Sequence, residues 1–114
     1  MNVEDFRRIA LSMPEATEAS HMGHPDFRVG GKIFATIWPD EKWGMVKLTP
    51  QQQQVLCDAH PEAFQPCNGA WGRQGCTAVR IAAIDDELLG EAITLAWRNL
   101  ADAPAGRRTT RKRR

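Results

Sequence analysis

Fifteen consecutive residues constrain this chain more than any others: His24-Pro25-Asp26-Phe27-Arg28-Val29-Gly30-Gly31-Lys32-Ile33-Phe34-Ala35-Thr36-Ile37-Trp38. A glycine pair stands between two stretches rich in aromatic and β-branched residues, and Gly-Gly supplies the positive φ angles that tight hairpin turns require. The reading is a hairpin, with strands at 26–29 and 32–38. Ile33, Ala35 and Ile37 fall on one face of the second strand, and Phe34, Thr36 and Trp38 on the other. Both faces are largely apolar, so each needs some cover. Pro39-Asp40-Glu41-Lys42 makes a second turn and 43–48 a third strand, which completes a β-meander.

Helices flank this meander. Val3, Phe6, Ile9, Ala10 and Met13 form one stripe at helical spacing, so residues 3–13 predict a first helix, capped by Asn2 and ended by Pro14. Residues 14–25 show no period and read as a loop. Thr49-Pro50-Gln51-Gln52 combines a threonine N-cap, a proline at the first helical position and a glutamine at the capping-box position. The helix it starts runs to about Ala59 and stops before Pro61. Residues 61–75 read as irregular, and 76–82 as a strand with Thr77, Val79 and Ile81 on one face. Asp85 caps a last helix that reaches about Leu100, with Gly90 inside it implying close packing there. The order α-βββ-α-loop-β-α predicts an α+β fold, an antiparallel sheet of a meander plus a later strand with helices packed on one face.

At 114 residues the chain fits one domain with a conventional core, and no apolar run approaches a membrane span. The acidic start, Asn2-Val3-Glu4-Asp5, is unlike the basic start of a signal peptide, so a cytoplasmic protein is expected; a monomer is expected as well. Cys57, Cys67 and Cys76 lack CxxC spacing and read as reduced thiols. The net charge of +1 conceals an asymmetry. Residues 107–114 hold six of the fifteen basic residues and no acid, which leaves nine basic against fourteen acidic residues, a formal −5, in the rest. The body is expected to be residues 1–102, and 103–114 a disordered basic tail. Six cations would displace about five counterions from a polyanion, so any contact by the tail would be steeply salt-dependent.

Pro14-Glu15, the run Gly23 to Ala35, Val46-Lys47-Leu48, Trp71-Gly72, Thr77 and Ala96-Trp97-Arg98 together resemble the MmcQ/YjbR family over about residues 3–101. The resemblance implies a single domain arranged like frataxin (CyaY), and a "double wing" DNA-binding role. Two features depart from it. Cys76 stands where relatives often carry an aromatic residue, and the arginine-rich tail lies outside the family pattern. The acidic ridge that frataxin-like iron binding would need is missing from the first helix, which offers only Glu4 and Asp5.

The candidate nucleic-acid contacts are Arg28, Lys32, Lys47, Arg73, Arg80 and Arg98 with Trp38, Trp43, Trp71 and Trp97, and the tail residues Arg107, Arg108, Arg111 and Lys112. Phosphate oxygens take arginine and lysine donors, and unpaired bases stack on flat side chains. Arg28 and Lys32 flank the glycine turn as the tip of a wing. The competing reading makes Trp38 and Trp97 core residues and pairs the arginines with carboxylates. An alternative site, a small-molecule or peptide pocket, draws on His24, Asp26, Arg28, Lys47, Trp71 and Arg98. His21, His24, Cys57, His60, Cys67 and Cys76 can ligate metal, yet match no zinc spacing, so neither metal nor cofactor is expected. His24 and Asp26 could form an oriented base, but no nucleophile or phosphate loop accompanies them. The expected role is therefore a non-enzymatic DNA-binding module.

Overall fold

The computed structural model describes residues 1–21 and 23–101, so the basic tail expected at 103–114 lies outside the described residues. In chain order the elements are α1 (Val3–Leu11), β1 (Thr17–His21), β2 (His24–Val29), β3 (Lys32–Ile37), β4 (Trp43–Lys47), α2 (Pro50–Ala59), β5 (Phe64–Pro66), α3 (Gly69–Arg73), β6 (Cys76–Arg80) and α4 (Asp86–Ala101). The strands make one antiparallel sheet in the order β1-β2-β3-β4-β6-β5. The fold is α+β, with the meander at its centre as the glycine turn demanded. Gly30 and Gly31 both have positive φ, 60° and 80°.

Local chemistry sets the helix starts. Asn2 and Asp5 form a reciprocal capping box on α1, as do Thr49 and Gln52 on α2. The Asp85 carboxylate accepts from the Leu88 N–H at 2.8 Å at the head of α4. The core lies between α1, α4 and one face of the sheet. Phe6 of α1 meets Phe27 of β2 with ring centroids 6.1 Å apart, and Leu89, Ile93 and Ala96 of α4 are fully buried against Ala35, Ile37 and Val46. Leu56 of α2 joins the same cluster beside Phe64. Gly44 lets α1 approach closely: a Cβ there would come within 2.7 Å of the Phe6 ring and 2.9 Å of the Thr36 carbonyl.

Four expectations are corrected. The segment 14–25 contains an edge strand, β1, whose Thr17-Glu18-Ala19-Ser20-His21 lacks apolar alternation because the strand joins the sheet through backbone pairing to β2 alone. The segment 61–75 contains a three-residue strand and a short helix, both too brief to leave a period. The last strand stops at Arg80, and a single 3₁₀ turn, Ile81–Ala83, follows. Gly90 is not closely packed, since a Cβ at that position would have nothing within 4 Å.

Candidate functional site

Residues directly opposed across antiparallel strands share a face. On the face turned away from α1 and α4, one row crosses all six strands: Ala19, Asp26, Thr36, Met45, Ala78 and Gln65. Beside it lies a second row, in which Trp38 donates its backbone N–H to Trp43 at 3.0 Å and Trp43 stands opposite Arg80. The two indoles are half-buried and pack with centroids 6.5 Å apart. The Arg80 guanidinium rests 4.4 Å above the Trp43 ring, a cation–π arrangement. Trp38 and Trp43, with Gln65, Pro66, Cys67, Asn68 and Ala78, line an open depression of about 120 Å³. That is well below the ~300–1,000 Å³ of a site for a drug-sized ligand, so it fits one planar group or one side chain.

Arg28 is committed elsewhere. Its Nε and an Nη donate to the two oxygens of the fully buried Asp26 at 2.8 and 3.1 Å, and this carboxylate raises the arginine's pKa. A β-bulge in the hairpin pairs Arg28 with Ile33 and Val29 with Lys32, leaving Phe34 as the extra residue. Val29 points into the core, so Lys32 belongs to the face opposite Arg28. The two cations expected to flank the wing therefore do not converge. Next to Asp26, Thr36 is 7% exposed and its Oγ1 has no hydrogen-bond partner among the described residues.

The other expected residues are spread over the molecule. Lys47 ends β4 on the far face, opposite Cys76, and its carbonyl accepts from Asn99 at 3.1 Å. Trp71 is 66% exposed on α3, with Arg73 at the same helix's end. Arg98 sits on α4, on the other side of the sheet from Asp26. His24, Asp26 and Arg28 share β2, but the structure does not gather them with Lys47, Trp71 and Arg98 into one pocket. Arg107, Arg108, Arg111 and Lys112 lie outside the described residues. Trp97 is half-buried at the core's edge, its indole N–H donating to the Pro14 carbonyl at 2.9 Å, and Trp38 is on the far face rather than in the core. Among the described residues no group of three or more His, Cys, Asp and Glu could hold a metal ion.

A wide, open cleft of about 700 Å³ lies at the end of the sheet between Met1, Val3, Arg7, Glu41, Lys42 and Arg80. Its lining mixes signs, and Arg7 is already bonded to Glu4 and Glu18 at 2.8 and 3.1 Å. The sequence puts Arg80, Trp38 and Trp43 among the candidate contacts, but sequence reasoning overlooked their assembly into one stack. The signal was there: the two tryptophans are placed symmetrically about the Pro39-Asp40-Glu41-Lys42 turn, which makes them cross-strand neighbours.

The family model described as YjbR matches residues 11–99. The chain belongs to the YjbR family. Among solved structures it is similar to the Deinococcus radiodurans protein DR2400, described with the domain DUF419, at 23% identity and a TM-score of 0.71 over 92% of this chain and 80% of that one. At that identity the likeness speaks for the fold alone. A comparison with curated proteins returned no match. Among the described residues of this YjbR member no helix is long and apolar enough to cross a membrane.

Proposed function

We propose that this YjbR-family chain is a non-enzymatic binding module that takes single-stranded nucleic acid on the far face of its sheet. The observation that carries the reading is the Trp38–Trp43–Arg80 stack beside a depression sized for one planar group. Stacking one base on an aromatic ring contributes about 1–3 kcal/mol, and arginine lying on the ring keeps its N–H edge for phosphate. Arg80, Lys42 and Lys47 are exposed and line up with the stack's side of the sheet or its turn. With the body formally at −5, long-range attraction does not help, so stacking supplies most of the affinity and the tail adds unspecific charge.

The test is fluorescence anisotropy with a labelled oligothymidine, on the full chain and on residues 1–101. Three phosphate contacts predict a salt slope of about −2 for the shortened chain, a loss of roughly twentyfold between 50 and 200 mM salt. Trp38→Ala and Arg80→Gln should each weaken binding at least about fivefold, with unchanged circular dichroism. Binding that vanishes with the tail, or that ignores both substitutions, would overturn the reading.

One observation favours a second reading, a small polar ligand at Asp26, Arg28 and Thr36. The Thr36 hydroxyl is buried without a partner among the described residues, and such a group gains from a bound acceptor or donor. A screened compound that raises the melting temperature of the wild type but not of Thr36→Val would support it; equal shifts in both would reject it.

A further inference from the structure

Cys67 and Cys76 are nine residues apart in sequence but face each other across the sheet. Pro66 pairs with Thr77 in the β5–β6 ladder, and one step further the Cys67 N–H donates to the Cys76 carbonyl at 3.0 Å. Directly opposed residues in antiparallel strands have Cα atoms about 4.5–5.5 Å apart. A disulfide needs about 4.4–6.8 Å, so the backbone already has a suitable spacing. Both cysteines are free and half-buried, and each thiol shifts the other's pKa.

The surroundings hold this pair in place. Gln53 Nε2 donates to the Gly72 carbonyl at 3.0 Å and to the Cys76 carbonyl at 2.9 Å. A Cβ on Gly72 would collide with the Cys67 carbonyl, so only glycine lets α3 close over that residue. Thr77 Oγ1 donates to the Gly75 carbonyl at 2.8 Å and fixes the turn into β6. Cys67 lines the depression beside Trp38 and Trp43, and Cys76 opposite it is itself partly exposed, which gives a small reagent a way in.

We propose that Cys67 and Cys76 are a redox-active dithiol that a peroxide converts to a cross-strand disulfide. The Cys76 thiolate attacks one peroxide oxygen. The O–O bond breaks, hydroxide leaves and takes up a proton to become water, and a sulfenic acid remains on Cys76. The Cys67 sulfur then attacks the sulfenic sulfur. The S–S bond forms as S–O breaks, and the thiol proton leaves with the hydroxyl as a second water. Two thiols have lost two electrons and two protons, and hydrogen peroxide has been reduced to two waters.

The order of events follows from local charge. Interaction with the Cys67 thiol lowers the Cys76 pKa, and the nearby Lys47 ammonium lowers it further, against the opposing effect of burial. Cys67 is pushed the other way by the Cys76 thiol and by burial, so Cys76 is the attacking thiolate and Cys67 the resolving thiol. Cys57 on α2 is the internal control, because burial first and then Asp58 raise its pKa. None of this depends on the nucleic-acid reading.

The experiment treats the full folded chain with hydrogen peroxide at pH 7 and follows thiol titration and peptide mass mapping. The wild type and Cys57→Ala should each lose two thiols together and yield one Cys67–Cys76 linked peptide, 2 Da lighter than its reduced parts. Cys67→Ser should stop at a dimedone-trappable sulfenic acid on Cys76. Cys76→Ser should consume peroxide clearly more slowly than the wild type and yield no linked peptide. If Cys57 reacts as fast as Cys76, or if Cys57→Ala consumes both thiols without the linked peptide, the proposal is overturned. That last arm keeps both cysteines and so does not depend on either serine variant folding.

Discussion

Asp26 is fully buried, and both its carboxylate oxygens accept from Arg28. Removing one partner of a buried pair costs about 3–5 kcal/mol because a charge is left unmatched, whereas replacing both is much milder. Arg28 keeps about a third of its side chain in solvent (32% exposed), so the penalty here is smaller. Arg28→Met should destabilise the chain by about 2 kcal/mol, and the double change Asp26→Asn with Arg28→Met by less than Arg28→Met alone, as read by urea unfolding. Equal costs would mean that the pair does not hold the strand. Part of this was legible in the sequence, since residues two apart in a strand share a face and opposite charges there can meet. The complete burial of Asp26 was not, because it depends on which strands lie beside β2. For the same reason Arg28 read as a phosphate donor without its bidentate bond to Asp26, which takes up its Nε and one Nη.

At the scale of elements, legibility followed local signals. The Thr49–Gln52 box, the Gly30-Gly31 turn and the Asp85 cap are written in three or four adjacent residues and appear where expected. β1 and β5 have no such signature. Their residues join the sheet because a neighbour presents unpaired backbone groups, which one strand's own sequence does not reveal. The bulge at Phe34 escaped notice likewise, and with it the separation of Lys32 from Arg28. Gly90 offers a direct measurement at this scale. It lies inside α4 with nothing within 4 Å of a would-be Cβ, so Gly90→Ala should stabilise the chain by up to ~1 kcal/mol through helix propensity. A lower melting temperature would mean that a close approach exists there after all.

For the molecule as a whole, the ladder runs from β1 at one edge to β5 at the other, with β3 and β4 near the middle. Native-state hydrogen exchange should respect that order. Amides of β1 should exchange at least about tenfold faster than those of β3 and β4, which pair on both sides and carry the fully buried Phe34, Ala35, Ile37 and Val46. Uniform protection across the six strands would contradict the layout. The two margins differ in kind: β1 offers five residues, whereas β5 has three and ends in Pro66, which lacks an N–H. Recruitment of another strand is thus a one-sided affair. Among the described residues β1 is the more receptive border, so two copies paired there about a two-fold axis would leave free only the short β5 rims that end in Pro66. This asymmetry favours a closed pair over an endless polymer as a misassembly product.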